Sequence, residues 1–189
     1  GRRQTAPALF LEGQIRVKGR IILISGGRGV GKTTVCQRTV AQAREAGYEC
    51  GGILTVQTDA PDERTVIDVR SGERRPLTTP EGGVGIGKFH FSSDTLDWGA
   101  EALTQAAPCD LLVVDEIGPL EIEQREGWVV ALDLLRMGQF EIALVVVRPE
   151  LVHAVQMQLP ASVPTVISVT EENRDQLPEE LLGLLKQAA

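Results

Sequence analysis

The sequence is poor in aromatics, which make up 4% of its 189 residues and include one Tyr and two Trp. That leaves little for a surface on which nucleic-acid bases stack in series. Its only histidines, His90 and His153, lie far apart and in no ligand spacing. Three cysteines, Cys36, Cys50 and Cys109, form an odd count with no CxxC pair. Neither a disulfide framework nor a zinc site is expected from them, and free thiols in a reducing compartment are. No apolar run nears the roughly 18 residues that a membrane-spanning helix needs. Ala8-Leu9-Phe10-Leu11 is too short for a secretory core. The expectation is a cytoplasmic protein with no membrane partner. Positive charge is also in deficit, with 26 acidic against 19 basic residues and a formal charge of −7. Nucleic-acid affinity rests largely on phosphate contacts, so nucleic acid is not the expected partner. The clusters Arg2-Arg3, Arg16 with Lys18 and Arg20, and Arg74-Arg75 read as solvated surface.

What is present is an ordinary globular composition, 42% hydrophobic and 24% charged, at a length that suits one well-cored domain. Residues 1–18 show no sustained periodicity and read as an extension or linker, with a short strand at 14–17. The domain proper spans 19–189. Short apolar runs at Arg20 to Ser25, Leu111 to Val114, Ile142 to Val147 and Val163 to Val169 read as strands buried on both faces. Helical stretches separate them, near Lys32 to Ala46, Asp94 to Ala107, Gln124 to Met137, Pro149 to Met157 and Glu171 to Lys186, the last broken near Pro178. This alternation predicts an α/β fold: a three-layer sandwich on a mainly parallel sheet. The stretch from Gly51 to Phe91 predicts an antiparallel insertion at one edge. Within it, Pro80 to Gly87 reads as loop.

Gly26-Gly27-Arg28-Gly29-Val30-Gly31-Lys32-Thr33 fits G-x-x-x-x-G-K-[ST] at every fixed position. A buried-type strand precedes it and a helix follows, the context that the chemistry requires. Its glycines let backbone N–H groups turn inward around phosphates, and the helix N-terminus adds unpaired donors and a favourable dipole. Lys32 is placed at the β- and γ-phosphates as a catalytic cation, and the Thr33 hydroxyl on Mg²⁺. Thr34 closes the nucleotide-binding segment as a helix residue. The expected ligand is therefore a nucleoside triphosphate such as ATP or GTP, with magnesium.

Leu111-Leu112-Val113-Val114-Asp115-Glu116 supplies the acids. Asp115 emerges at the carboxyl end of its strand, where open α/β sheets place ligands, and is assigned to the magnesium. Glu116 is a candidate general base for water, or else a surface acid. Glu121 and Glu123 lie near, and Glu123 reads as solvated. Arg28, Arg148 and Arg174 are candidates for charge stabilisation at the γ-phosphate. Asn173-Arg174 lies after the last strand. It either contacts the base, Asn by hydrogen bonds and Arg by stacking, or completes a helix cap begun by Thr170.

At these residues the chain resembles the small P-loop nucleoside-triphosphatases of the THEP type, a family that includes cancer-related nucleoside-triphosphatase. Four segments carry the likeness: Gly26 to Thr34, Gly87-Lys88-Phe89, Asp115-Glu116-Ile117-Gly118-Pro119-Leu120-Glu121, and Val169 to Asp175. The resemblance implies slow hydrolysis of ATP, GTP and other triphosphates to diphosphates with broad base tolerance. It also implies Glu116 as base and Asn173-Arg174 as base contacts. One departure lies after the second strand. Thr55-Val56-Gln57-Thr58 and Arg74-Arg75-Pro76 stand there in place of the family's Glu-Val-Arg run and later Arg-Gly-Phe. A nucleoside or nucleotide kinase would share the phosphate loop, and so would a nucleotide switch acting through a protein partner. Glu116 beside Asp115 favours water activation over the switch. The absence of a separate Arg-rich lid speaks against the kinase.

Overall fold

A computed structural model of the chain describes residues 19–60, 62–80, 82–86, 89–159 and 164–188. The expectations for residues 1–18 and for Gly87-Lys88 fall outside these. Ten strands and five α-helices are described: β1 (Arg20–Ser25), α1 (Lys32–Glu45), β2 (Cys50–Gln57), β3 (Arg64–Asp68), β4 (Arg74–Pro76), β5 (Thr78–Thr79), β6 (Val84–Ile86), β7 (Phe89–Phe91), α2 (Ser93–Thr104), β8 (Cys109–Ile117), α3 (Val130–Met137), β9 (Phe140–Val147), α4 (Val152–Gln158), β10 (Thr165–Ser168) and α5 (Leu177–Ala188).

The main sheet runs β10-β1-β9-β8-β2-β3-β4. The first five strands are parallel, and β3 and β4 turn back antiparallel. Alternate residues of each central strand enter opposite cores. Ile22, Ile24, Val113 and Leu144 pack with Val35, Cys36 and Val40 of α1 and Leu181 and Leu185 of α5. Leu23, Leu112, Val114 and Val145 pack on the other face with Leu103 of α2 and Leu132 and Leu135 of α3. Burial on both faces explains why these strands read as unbroken apolar runs. The helix ends follow their local signals. Gly47, at φ 89°, donates its N–H to Arg44 and ends α1. The Ser92 hydroxyl accepts the Thr95 N–H at 3.3 Å and starts α2.

Several expectations are corrected. β2 belongs to the parallel core beside β8, so the antiparallel edge begins only at β3. Residues 84–86 form a strand, pairing with β7 in a small sheet ordered β5-β7-β6; mutual pairing of three short strands overrides the turn chemistry of this Gly-rich stretch. The helix expected from Gln124 starts only at Val130. Before it, Leu120–Gln124 makes one wide π-type turn, and Arg125 and Gly127, both at positive φ, break the backbone. The last helical stretch starts only at Leu177, after turns over 171–176, so Pro178 sits in the first turn of α5, where its missing N–H costs nothing. Finally, β8 runs on through Glu116 to Ile117, so Asp115 lies inside the strand rather than beyond its end.

Candidate active site

The carboxyl ends of β1, β8 and β9 lie side by side, with Asp115 in register with Val146 and β1 paired to β9 along its length. This adjacency brings together residues about 90 positions apart in the chain. The phosphate loop leaves β1 at Gly26, whose φ is 135°, and a Cβ there would meet the Val169 carbonyl at 2.6 Å. Glycine is therefore required both by conformation and by the close pass of the segment after β10. Gly31, at φ 108°, turns the chain into α1. The Val35 N–H bonds the Gly31 carbonyl, so the N–H groups ahead of Val35 in the first turn point to the loop's interior. Lys32, the first residue of α1, folds back and donates from Nζ to the Gly26 carbonyl at 2.7 Å and the Gly27 carbonyl at 2.8 Å. Gly27, Arg28 and Gly29 are exposed at the loop's tip, and Thr34, in the first turn of α1, is exposed as well. The sequence-predicted loop residues are thus brought into one cradle.

Asp115 is 2% exposed. Burial pushes its carboxyl up to about 7, opposed by a hydrogen bond from Thr33 and reinforced by the charge of Glu116. Its Oδ2 is buried with no hydrogen-bond partner. A buried orphan oxygen of this kind is a rare feature that calls for an explanation. A divalent cation fits it: a hard oxygen ligand, next to the Thr33 hydroxyl, at a loop built for phosphates. Among the described residues no group of three or more His, Cys, Asp or Glu forms a closed cage. Thr55 of β2 fastens the strand here, donating its hydroxyl to the Asp115 carbonyl at 2.6 Å.

Glu116 is half-buried. Its Oε1 accepts Arg148 Nε at 2.8 Å, a link between the ends of neighbouring strands β8 and β9. Gly118 lies against it; a Cβ there would come 3.4 Å from Glu116 Oε1 and 3.7 Å from Glu121 Oε2. Glu121 is buried, and its role is structural. Oε2 accepts the Gly118 N–H at 2.9 Å, and Oε1 accepts the Trp128 N–H at 3.0 Å, closing the loop that follows the two acids. Burial raises its pKa against these bonds.

Asn173 and Arg174 diverge in environment. Asn173 Oδ1 accepts the Thr170 N–H at 2.8 Å, and Nδ2 donates to the Ser168 carbonyl at 2.9 Å, so both ends of the amide build the loop. Arg174 reaches the phosphate loop, donating to the Val30 carbonyl at 3.4 Å. It lines a small cavity of about 140 Å³ with Gly31, Thr34, Arg38 and Asp175. Arg38 and Asp175 close one side of that cavity through an ion pair at 2.7 Å.

Residues 21–182 match a family model described as NTPase. The chain belongs to the NTPase family. Among its relatives, nucleoside-triphosphatase THEP1 of Methanosarcina acetivorans is 32% identical over 166 residues, 85% of this chain and 93% of that protein. THEP1 of Methanopyrus kandleri is 30% identical over 171 residues, 85% and 92% of the two chains. The fold of this NTPase family member is shared by two solved structures. THEP1 from the hyperthermophile Aquifex aeolicus superposes with a TM-score of 0.67 at 21% identity, over 88% of this chain and 99% of that one. A human cancer-related nucleoside triphosphatase does so at 0.71 and 21%, over 90% and 100%.

Two features of this NTPase were not foreseen as such. The Glu116–Arg148 pair joins residues 32 apart in sequence, and only strand order brings them together. The staple formed by Glu121 had a sequence trace, a lone acid in the apolar run Gly118-Pro119-Leu120-Glu121-Ile122, where an unpaired charge would be costly.

Proposed function

We propose that this chain binds a nucleoside 5′-triphosphate with Mg²⁺ in the cradle of Gly26 to Thr34 and hydrolyses it to the diphosphate and phosphate. ATP and GTP are both accepted in this reading, since Asn173, the residue placed to read a base edge, uses both ends of its amide within its own loop. The observation that carries the reading is the orphaned Oδ2 of buried Asp115 beside Thr33, at the mouth of the phosphate loop. Thr33 and Asp115 would hold the cation, which when bound neutralises charge on the β- and γ-phosphates.

Lys32 moves from the carbonyls of Gly26 and Gly27 to the phosphate oxygens. Glu116 orients a water and takes its proton as the water oxygen bonds to the γ-phosphorus. The bridging P–O bond breaks, and the β-phosphate leaves with the electron pair. A positioned base of this type contributes about 10²–10⁴ in rate. Arg174 faces the sugar and base end, on a loop held in shape by Asn173. Three buried free thiols agree with a cytoplasmic setting.

A kinase is the second reading. An open cavity of about 470 Å³ lies at the start of β3, lined in part by Arg64, Thr65, Thr78 and His90, where an acceptor could sit. One assay separates the two. Turnover of ATP in ¹⁸O-labelled water, with and without Mg²⁺ and with nucleoside acceptors, should place the label in free phosphate and require the metal. Transfer of unlabelled phosphate to an acceptor would establish the kinase instead.

A further inference from the structure

We propose that Arg148 acts directly on the transferred phosphate: it holds Glu116 through Nε and presents its terminal amino groups to the γ-phosphoryl. This rests on the reading that a triphosphate occupies the phosphate loop. It adds an arginine supplied by the chain itself.

Arg148 directly follows β9, the strand between β1 and β8. Those two flanking strands carry the phosphate loop and the acids. Its backbone position is therefore fixed between the two halves of the site. The bond to Glu116 uses Nε, one of the five donors of a guanidinium. Among the described residues, the terminal amino groups of Arg148 have no hydrogen-bond partner. The side chains of Arg148 and Glu116 are 50% and 34% exposed. Ion pairs so exposed add little to stability, so a purely structural purpose explains the pair poorly. A chemical purpose explains it better. Glu116 and a triphosphate are both anions and repel each other, and a planar cation bonded to one with donors left for the other removes that conflict. During phosphoryl transfer charge gathers on the equatorial oxygens, where arginine donors act most strongly.

The other two candidate arginines are placed differently. Arg28 is at the exposed tip of the phosphate loop. Arg174 follows β10, across β1 from the strands that carry Arg148 and the acids, and bonds the Val30 carbonyl.

The test compares wild type with Arg148→Ala, Arg148→Lys, Glu116→Gln and the Arg148→Ala/Glu116→Gln double variant. Steady-state and single-turnover hydrolysis of MgATP are measured, with calorimetric binding of MgADP alone and with aluminium fluoride. Arg148→Ala should lower kcat by about 10²-fold or more, as loss of a charge-stabilising donor does, and leave KM within about threefold. MgADP affinity should be unchanged, whereas the extra affinity conferred by aluminium fluoride should be lost. Arg148→Lys keeps the charge but replaces the planar five-donor fork with a compact ammonium on a shorter stem, and should recover no more than about a tenth of the turnover. Arg148→Ala should still slow single turnover about tenfold in the Glu116→Gln background.

Turnover by Arg148→Ala within threefold of wild type would overturn the proposal, as would an equal loss of MgADP and aluminium-fluoride affinity. No further loss in the Glu116→Gln background would limit Arg148 to positioning and also overturn the phosphate contact. Should Glu116→Gln turn over normally while Arg148→Ala collapses, the base assignment fails and the arginine assignment stands.

Discussion

Lys32 Nζ lies 2.7 Å from the Gly26 carbonyl oxygen, so the loop's own backbone aims the ammonium into the loop. The cradle is thereby preformed and its cation stays aimed inward. Lys32→Ala should abolish productive triphosphate binding, with a loss of roughly 3 kcal/mol or more of transition-state stabilisation. Titration with MgATP alongside a turnover assay checks this. Unchanged affinity and turnover would remove the phosphate-loop assignment.

Asp115 sets a pH dependence whose sign follows from burial. Burial raises its carboxyl from 3.8 to about 7 in the folded chain. The folded state therefore favours the protonated form. Stability linked to this group is fully present below the unfolded pKa and is lost as pH rises through about 7. Asp115→Asn should melt several degrees above metal-free wild type at pH 8, with the difference vanishing near pH 4. Adding Mg²⁺ with a triphosphate should stabilise wild type more than the variant, which keeps the loop and Lys32 but loses a cation ligand. Thermal melts at the two pH values, with and without MgATP, decide this. A variant that gains stability from MgATP as wild type does would place the metal elsewhere.

Arg174 and Asn173 should separate in their effects. Arg174→Ala is expected to raise KM for nucleotides about tenfold with kcat little changed, the pattern of lost uniform binding. This corresponds to about 1–2 kcal/mol for a stacked guanidinium. Asn173→Ala should raise KM in the same direction and also lower the melting temperature, since both ends of its amide tie the loop. Inorganic triphosphate has no base and should bind both variants as it binds wild type. Collapse of kcat with intact KM in Arg174→Ala would instead put that residue at the γ-phosphate.

The parts of this site legible in the sequence are those whose physics is local. Gly26 to Thr33 announces itself because the glycines, the lysine and the helix start act within one turn of chain. Leu111 to Asp115 does so because a run of four apolar residues ending in an acid has few other uses in a buried strand. Illegible were the features that depend on which strands become neighbours. Nothing near Arg148 says that β9 lies beside β8, so its bond to Glu116 could not be read. The depth of Asp115 was missed for a related reason: β8 continues to Ile117 because β9 pairs with it that far. The late start of α3 reflects a tertiary anchor, the Trp128 indole donating to the Leu96 carbonyl at 3.1 Å and lying where a Cβ on Gly99 would clash.

Glu116 is proposed to activate water against a triphosphate held by Lys32, Thr33 and Asp115. The most direct measurement is single-turnover phosphate release from MgATP by Glu116→Gln, with nucleotide affinity measured on the same preparation. The amide keeps the shape and removes the base. MgATP affinity should stay close to wild type and the hydrolysis rate should fall by about 10²–10⁴. Hydrolysis at the wild-type rate with bound nucleotide would contradict that role and move the base to another residue.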